Sequence, residues 1–219
     1  MVQKLKKQQG EATRKQILEV TARRFAQHGY HGTSLEAIAK QVGVAKSSVL
    51  WHFGSKEALL YEVIQGVMTK WEKEQTAELL AITDSRERLS RMVDAYKGLM
   101  RERPDTLLLF LTVMFEGIDS NAELTDKFRE MYKGYRAAIK LAIDLGIQDG
   151  VFRKDLAAED VASFVLAGFD GIFIQWYLDR EHFDLDRASD NLKRMVTRFI
   201  EVPGAVAAEK SLAAPVTSN

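Results

Sequence analysis

Hydroxyl and basic side chains gather in one short stretch of the sequence, at Lys46, Ser47, Ser48, His52 and Lys56. A serine near a histidine can act as nucleophile and base, but no third residue that would orient the imidazole is evident here. Phosphate binding explains the pattern better, because Ser55 is a good helix N-cap and Lys56 would follow it in the first turn. A cation is unfavourable beside the free amides of a helix N-terminus unless an anion binds there.

Two short helices joined by a tight turn are predicted to position these side chains. Thr33 is the expected N-cap of the first helix, and Glu36 would complete a capping box with it. Gly43 is expected to end the first helix, and Gly54 the second, which spans about residues 45–53. The buried face of the first helix would carry Leu35, Ile38, Ala39 and Val42.

This arrangement has two interpretations. A helix-turn-helix beside a phosphate clamp is the geometry that lays a recognition helix in the DNA major groove. The alternative is an ordinary helical hairpin whose exposed lysines are only solvated. The pattern of residues alone leaves both interpretations open.

Charge is unevenly distributed along a chain whose formal net charge is zero. Residues 1–60 carry 10 lysine and arginine residues against 4 aspartate and glutamate residues, whereas the remaining residues carry 21 against 27. Such asymmetry suggests a nucleic-acid-facing head on an acidic body.

Features of metal, disulfide and membrane proteins are weak in this sequence. The absence of cysteine excludes a disulfide framework and a thiolate metal site. His28 and His31 have a spacing seen in metal sites, but two imidazoles beside an exposed helix end usually bind nothing. The longest apolar run, residues 107–115, is much shorter than the ~20 residues of a membrane span. We therefore expect a cytoplasmic protein with no metal, no cofactor and no membrane contact.

A set of residues within 12–64 has a characteristic order and spacing: Phe25, Gly29, Gly32, Thr33, Ser34, Ile38, Ala39, Gly43, Val44, Trp51, His52, Phe53, Ser55, Lys56 and Glu57. With these residues the segment resembles the DNA-binding domain of the TetR family of bacterial repressors. The resemblance implies an all-α protein with an N-terminal three-helix helix-turn-helix domain and a C-terminal helical domain for ligand binding and dimerisation. Leu50 departs from the usual tyrosine and cannot donate a hydrogen bond, so contact with a thymine methyl would have to replace it. Ser47 stands where glycine or proline is common.

The division of the chain follows from composition and from the resemblance. Residues 1–10 are polar and basic without periodicity, so we expect a disordered arm there; the alternative is an arm that orders on phosphate or in a minor groove. We further expect the helix-turn-helix domain at 11–65, an effector-binding and dimerisation domain at 66–202, and a disordered tail at 203–219, which is alanine-rich, small and polar. The expected DNA contacts are Thr33, Ser34, Lys46, Ser47, Ser48, Leu50, Trp51, His52 and Lys56.

The resemblance implies an effector pocket in the C-terminal domain. Methionine and aromatic residues of the body could give this pocket a mainly apolar lining, although such residues at helical spacing are more often plain core. A hydrophobic or aromatic effector would suit this lining. The central helix of the body, about residues 107–118, is apolar nearly all round and is expected to be buried. The candidate pocket residues are Met92, Tyr96, Met100, Phe110, Met114, Phe115, Met131, Tyr135 and Trp176.

A heptad pattern near the C-terminus predicts a homodimer interface, in which two helices pair with their symmetry mates as a four-helix bundle. The alternative is that this seam packs within one subunit. The expected function is a repressor that binds a palindromic DNA operator as a homodimer and responds to a small molecule. The alternative is an effector-independent architectural DNA-binding protein of the same fold. The expected interface residues are Ala167, Gly168, Gly171, Leu185, Ala188, Leu192, Met195 and Phe199.

Overall fold

A computed structural model describes residues 2–118 and 121–202 of the chain. Over these ranges it contains nine α-helices, and the only strand-like pairing there is an antiparallel bridge between Phe152 and Glu201. The predicted all-α fold is therefore confirmed. The helices are α1 (Val2–His28), α2 (Leu35–Val42), α3 (Lys46–Phe53), α4 (Lys56–Ala81), α5 (Ser85–Glu102), α6 (Pro104–Ile118), α7 (Ala122–Gln148), α8 (Ala158–Leu178) and α9 (Leu185–Ile200).

The N-terminal segment differs from its prediction, because α1 extends back to Val2 where a disordered arm was expected at residues 1–10. The segment is rich in lysine and glutamine, which are good helix formers. Gly10 costs the helix only ~1 kcal/mol relative to alanine, so it does not end it. The predicted disordered tail at residues 203–219 lies outside the described residues.

The chain forms two compact units, the first from Met1–Glu74 and Arg103–Glu130, the second from Gln75–Glu102 and Met131–Asn219. This division differs from the boundary predicted after residue 65, because α6 and the start of α7 belong to the first unit. Aromatic packing accounts for the grouping. The ring of Phe128 on α7 lies edge-on to the rings of Tyr61 on α4 and Phe110 on α6, at centroid distances of 5.1 and 5.3 Å.

The core of the helix-turn-helix region joins α1, α2, α3 and the start of α4. Burying a large apolar side chain of this kind contributes ~1.5–3 kcal/mol, so the core fixes the angle between α2 and α3. Val44, in the turn between these two helices, packs against the same core as expected. The buried members are Ile17, Val20, Ile38, Ala39, Val49, Phe53 and Leu59.

The start of α2 corrects the predicted cap by one residue. Ser34, not Thr33, is the N-cap, and its Oγ accepts a hydrogen bond from the Ala37 amide at 3.2 Å. Thr33 is fully buried, and its hydroxyl donates to the Gly29 carbonyl at 2.9 Å. Since Glu36 is not three residues after Ser34, no capping box forms with it. The predicted end of α2 is confirmed, because Gly43 adopts a left-handed φ of 82°.

Helix α6 is buried on one side only, whereas the sequence predicts burial all round. Leu107, Phe110 and Val113 are buried, but Leu108 and Phe115 are exposed. The position of its neighbour explains the difference. The ring of Phe110 packs against Phe128 of α7 within the first unit, so the side of α6 that carries Phe110 is buried.

In the second unit, the segment after α7 is tied to the end of α9. The ring of Phe152 is fully buried and lies against Gly146, where a Cβ would come within 2.1 Å of the ring. The Arg153 amide donates to the Ile200 carbonyl at 2.8 Å. Arg86 of α5 forms an ion pair of 2.6 Å with Glu201, so three parts of the unit meet at the end of α9.

Candidate functional site

The exposed side of α3 forms a continuous surface, here called the outer face of α3 and made of Lys46, Ser47, Leu50 and Trp51. Val49 anchors the opposite side of the helix and is fully buried. Leu50 is 37% exposed and Trp51 is 80% exposed, which are high values for such large apolar side chains. The outer face of α3 is therefore available to a partner.

The flanks of this surface carry two further predicted residues. Ser48 and His52 are half-buried, and the ring of His52 lies edge-on to Trp51 at a centroid distance of 4.7 Å. Ser34 is exposed, but its Oγ is used in capping α2. Thr33 is completely buried, so its side chain cannot contact DNA as predicted.

The charge of Lys46 is compensated within the protein. Its ammonium forms an ion pair with Glu36 in the first turn of α2. The hydrogen bond from Lys46 lowers the pKa of the Glu36 carboxyl below its ordinary value. The pair links the starts of α2 and α3, and it reduces the positive charge that the outer face of α3 presents.

Lys56 also has partners within the protein, at the corner between α1 and α4. Its Nζ donates to the Tyr30 carbonyl at 2.6 Å and lies 4.0 Å from the centroid of the Tyr30 ring. The Tyr30 hydroxyl donates to Glu57 at 3.0 Å. Burial lowers the pKa of Lys56, although Glu57 and Glu116 oppose this effect. These contacts account for a cation at a helix N-terminus without requiring a bound anion.

The nine residues predicted to form one pocket are divided between the two units. In the first unit, Phe110 is buried against α7 and Phe115 is exposed. In the second unit, Trp176 lies near the end of α8, where the Arg180 guanidinium is 5.1 Å from its ring centroid. The first unit holds Phe110, Met114 and Phe115, and the second holds Met92, Tyr96, Met100, Met131, Tyr135 and Trp176.

A carboxylate surrounded by aromatic rings lies in the second unit. This Asp170 cluster consists of Asp170 and Phe169 of α8, Tyr96 of α5, and Tyr132 and Tyr135 of α7. The Tyr132 hydroxyl donates to Asp170 Oδ2 at 3.0 Å. The rings of Tyr96 and Phe169 stack at 4.3 Å with an interplanar angle of 19°. The rings of Tyr132 and Tyr135 meet edge-on at 6.2 Å.

The carboxylate of Asp170 carries a negative charge that no neighbouring cation in the described part of the chain compensates. Among the described residues, no cation pairs with Asp170. Burial raises the pKa of Asp170 to about 6, and the hydrogen bond from Tyr132 offsets only part of this rise. The pKa of Tyr96 is also raised, first by burial and then by the charge of Asp170. The carboxylate and the three tyrosines all remain partly exposed. A cation would find both a counter-ion and ring faces here.

A groove of about 320 Å³ lies in the first unit, along α1 and α4. None of the nine predicted pocket residues lines it. Glu62 pairs with Arg14, and Glu19 and Glu74 each lie 4.0 Å from a lysine, whereas Arg103 on the lining has no ion pair among the described residues. The uncompensated charge of the groove is therefore a cation, whereas that of the Asp170 cluster is a carboxylate.

An apolar stripe remains exposed on the outside of α8 and α9. It includes Leu178, which is 81% exposed, and Phe199, which is 56% exposed. On α8 the exposed positions, together with the half-buried Gly171 among them, follow steps of three and four residues, the spacing of a heptad seam. The stripe consists of Phe164, Ala167, Ile174 and Leu178 on α8 and Met195 and Phe199 on α9.

Three predicted interface residues instead pack within the subunit, which corrects part of the heptad prediction. Leu185 and Leu192 are buried, and a Cβ on Gly168 would lie 2.8 Å from the Leu192 side chain. The row of α9 that faces its own unit also includes Val196 and Ile200. Gly171 and Ala188 are half-buried, between this row and the exposed stripe.

Two family models match the chain, one over its N-terminal region and one over its C-terminal region. The family described as bacterial regulatory proteins, tetR family, matches residues 17–63. The family described as BetI-type transcriptional repressor, C-terminal, matches residues 85–201, which is more than half of the chain. The chain belongs to the TetR family. This TetR family member is therefore a DNA-binding transcriptional regulator and not an enzyme, and the outer face of α3 belongs to its DNA-binding domain.

Relatives of this TetR family member match it over most of its length. The fatty acid metabolism regulator protein of Bacillus subtilis (strain 168) is 23% identical over 185 residues, 84% of this chain and 94% of the relative. A regulator from Saccharomonospora viridis, solved in complex with choline, is 29% identical with a TM-score of 0.71, covering 88% of this chain and 99% of that one. FadR from Bacillus subtilis, solved with stearoyl-CoA, is 23% identical with a TM-score of 0.68, covering 83% and 96%.

The sequence interpretation missed Asp170 and the Tyr132 hydroxyl that binds it. One signal was present, because Asp170 is the only charged residue between Val161 and Leu178, within an otherwise apolar part of α8. A charge inside such a segment requires a partner or a function. The pairing of Lys46 with Glu36 had no comparable signal, because the two residues lie ten positions apart on different helices.

Proposed function

We propose that this TetR family member is a cytoplasmic repressor that binds a palindromic operator as a homodimer, with its DNA affinity controlled by a small organic cation bearing apolar groups. The outer face of α3 would lie in the major groove, as recognition helices of helix-turn-helix proteins do. The effector would bind at the Asp170 cluster. The uncompensated carboxylate of this cluster is the observation that carries the effector part of the proposal.

The apolar stripe on α8 and α9 supports the homodimer. A contiguous exposed apolar surface usually marks an interface, and its heptad spacing suits packing against a second copy in a four-helix bundle. Helix α8 is also long and apolar enough to cross a membrane. Its other side, however, carries Val161, Val165 and Phe173 buried in its own unit, which favours a partner helix over lipid. Two copies would present two outer faces of α3 to half-sites ~34–36 Å apart.

Disrupting the stripe tests the homodimer directly. Phe199→Asp places a carboxylate in the proposed interface, and the nearby Arg153, 5.6 Å from the Phe199 ring centroid, is already paired with Asp155. Burial of this charge would be disfavoured, so we expect a folded monomer by light scattering. Leu80→Asp is the matched control, because Leu80 is 64% exposed and lies outside the stripe. Leu192→Asp should unfold the protein instead, since Leu192 is buried within the subunit. A wild-type monomer at micromolar concentration would contradict the homodimer.

A cationic effector is favoured over an anionic one by the chemistry of the Asp170 cluster. Quaternary ammonium ions are recognised by aromatic rings, and a nearby carboxylate adds charge pairing. Choline, bound by the Saccharomonospora viridis regulator, is such an ion. Stearoyl-CoA, bound by FadR from Bacillus subtilis, is an anion that Asp170 would repel. We therefore narrow the hydrophobic or aromatic effector expected from the sequence to a cation that carries apolar groups.

The effector proposal is tested with two ligands of nearly equal shape. Choline carries a quaternary nitrogen, whereas 3,3-dimethylbutan-1-ol has a neutral carbon in its place. We expect choline, but not the alcohol, to change operator affinity by roughly 5–150-fold, the usual range of allosteric coupling. Asp170→Asn should abolish this response while keeping operator binding without ligand. An equal response to both compounds, or an unchanged response in the variant, would contradict a cation site at Asp170.

A further inference from the structure

The outer face of α3 is unusual for a DNA-reading surface, because it offers few groups that can form hydrogen bonds to bases. Two of its four members, Leu50 and Trp51, are large exposed apolar side chains, and leucine has no polar side-chain atom. Lys46, its only cation, is held in an ion pair with Glu36. Ser47 is the remaining polar member, and its hydroxyl is short. This surface therefore offers apolar side chains more readily than hydrogen-bonding groups to the edges of bases.

Apolar readout in the major groove distinguishes one base from the other three. Thymine alone carries a methyl group there, at C5, whereas the other bases present only hydrogen-bond donors and acceptors. A leucine placed against cytosine, adenine or guanine would desolvate these polar groups without replacing their hydrogen bonds. Against thymine, the same leucine gains the contact with the methyl group. The chemistry of Leu50 thus selects thymine by attraction and disfavours the other bases by desolvation.

We propose that Leu50 is a specificity-determining residue that reads the 5-methyl group of a thymine in each operator half-site, with Trp51 covering the contact from water. The burial of Val49 and Phe53 on the other side of α3 holds Leu50 outward in this position. This inference depends on the DNA binding that membership of the TetR family establishes. It is independent of the proposed effector.

The experiment removes the thymine methyl group from the DNA and, separately, the Leu50 side chain from the protein. An operator is first selected from random duplexes by the full-length wild-type protein. Each thymine of the selected sequence is then replaced by deoxyuridine, which deletes only the methyl group. Burial of one such carbon contributes ~0.8 kcal/mol, so we expect ~4-fold weaker wild-type binding for one substitution and ~16-fold for the symmetric pair. Leu50→Ala should bind the thymine and uracil operators equally.

Two variants control for general damage to α3. Leu50→Met keeps an apolar side chain of similar volume and should retain a preference for thymine, which also covers the case that Leu50→Ala fails to fold. Leu80→Ala truncates another exposed leucine and should leave the thymine preference unchanged. The log–log salt slope of binding should be the same in Leu50→Ala and wild type, because no phosphate contact is removed. The inference is overturned if selection enriches no sequence, if uracil costs the wild type nothing at every position, or if Leu50→Ala keeps the full thymine preference.

Discussion

Replacing the Asp170 carboxylate with an amide is expected to stabilise the protein, and the gain should depend on pH. Folding raises the pKa of Asp170 from 3.8 to about 6, because burial disfavours the charged form. A raised carboxyl pKa means that the folded state binds more protons than the unfolded state between these two values. Stability therefore falls as the pH rises through this window, and the penalty is complete above pH 6.

The size of the penalty follows from the same two values. Each pKa unit corresponds to 1.36 kcal/mol, so ionised Asp170 costs about 3 kcal/mol at pH 8. At pH 5 the folded carboxyl is mostly protonated, and the cost is about half as large. An asparagine side chain at this position would carry no charge, and its amide oxygen would still accept the Tyr132 hydrogen bond. Asp170→Asn should therefore gain about 3 kcal/mol at pH 8 and about half of this at pH 5.

Reversible urea unfolding at pH 5 and pH 8 measures this gain. Asp190→Asn is the matched control, because Asp190 lies on the exposed side of α9 and should give no comparable gain. Choline should stabilise the wild type and not Asp170→Asn, since a bound cation favours the ionised carboxylate. A loss of stability in Asp170→Asn at pH 8, or a gain that does not change with pH, would refute the reasoning about an uncompensated charge.

Three further predictions concern the N-cap of α2, Lys56 at the start of α4, and Gly146. Ser34→Ala should lower the free energy of unfolding by about 1 kcal/mol through loss of the α2 cap, whereas Glu36→Ala should lower it less, because it removes only an exposed ion pair with Lys46; urea unfolding distinguishes the two. Lys56→Ala should weaken operator binding but lower the log–log salt slope by less than one unit, because its ammonium is engaged by a main-chain carbonyl; a full unit would instead indicate a lost phosphate contact. Gly146→Ala should cost about 1–3 kcal/mol, because the new methyl group overlaps a buried ring; a melting temperature equal to wild type would contradict this.

The helices and the DNA-binding region were predictable because local signals there agree with one another. Apolar residues recur at helical spacing through α2, glycines end α2 and α3, and Ser55 caps α4 as expected. The capping residue of α2 was misplaced because threonine and serine are adjacent and both are good caps. In the structure the Thr33 hydroxyl is instead used in a local hydrogen bond to the Gly29 carbonyl, four residues earlier, which leaves Ser34 as the cap.

The interface on α9 could be predicted only in part, because two rows of apolar residues share this helix. The heptad row and the buried row both contain Leu185 and Leu192, so spacing alone does not tell which row faces its own subunit. Asp170 was missed for a different reason. Its charge was visible in the sequence, but the tyrosines around it come from α5 and α7, and their convergence is set by tertiary packing.

The contacts at the C-terminal end of α9 affect local unfolding of the second unit. The last turn of a helix usually frays, and its amide hydrogens then exchange quickly with solvent. Here the Ile200 carbonyl accepts from Arg153, the Val202 amide donates to the Val151 carbonyl at 3.2 Å, and Glu201 is paired with Arg86. The amide hydrogens of this turn should therefore exchange slowly, by an opening that also frees the segment after α7.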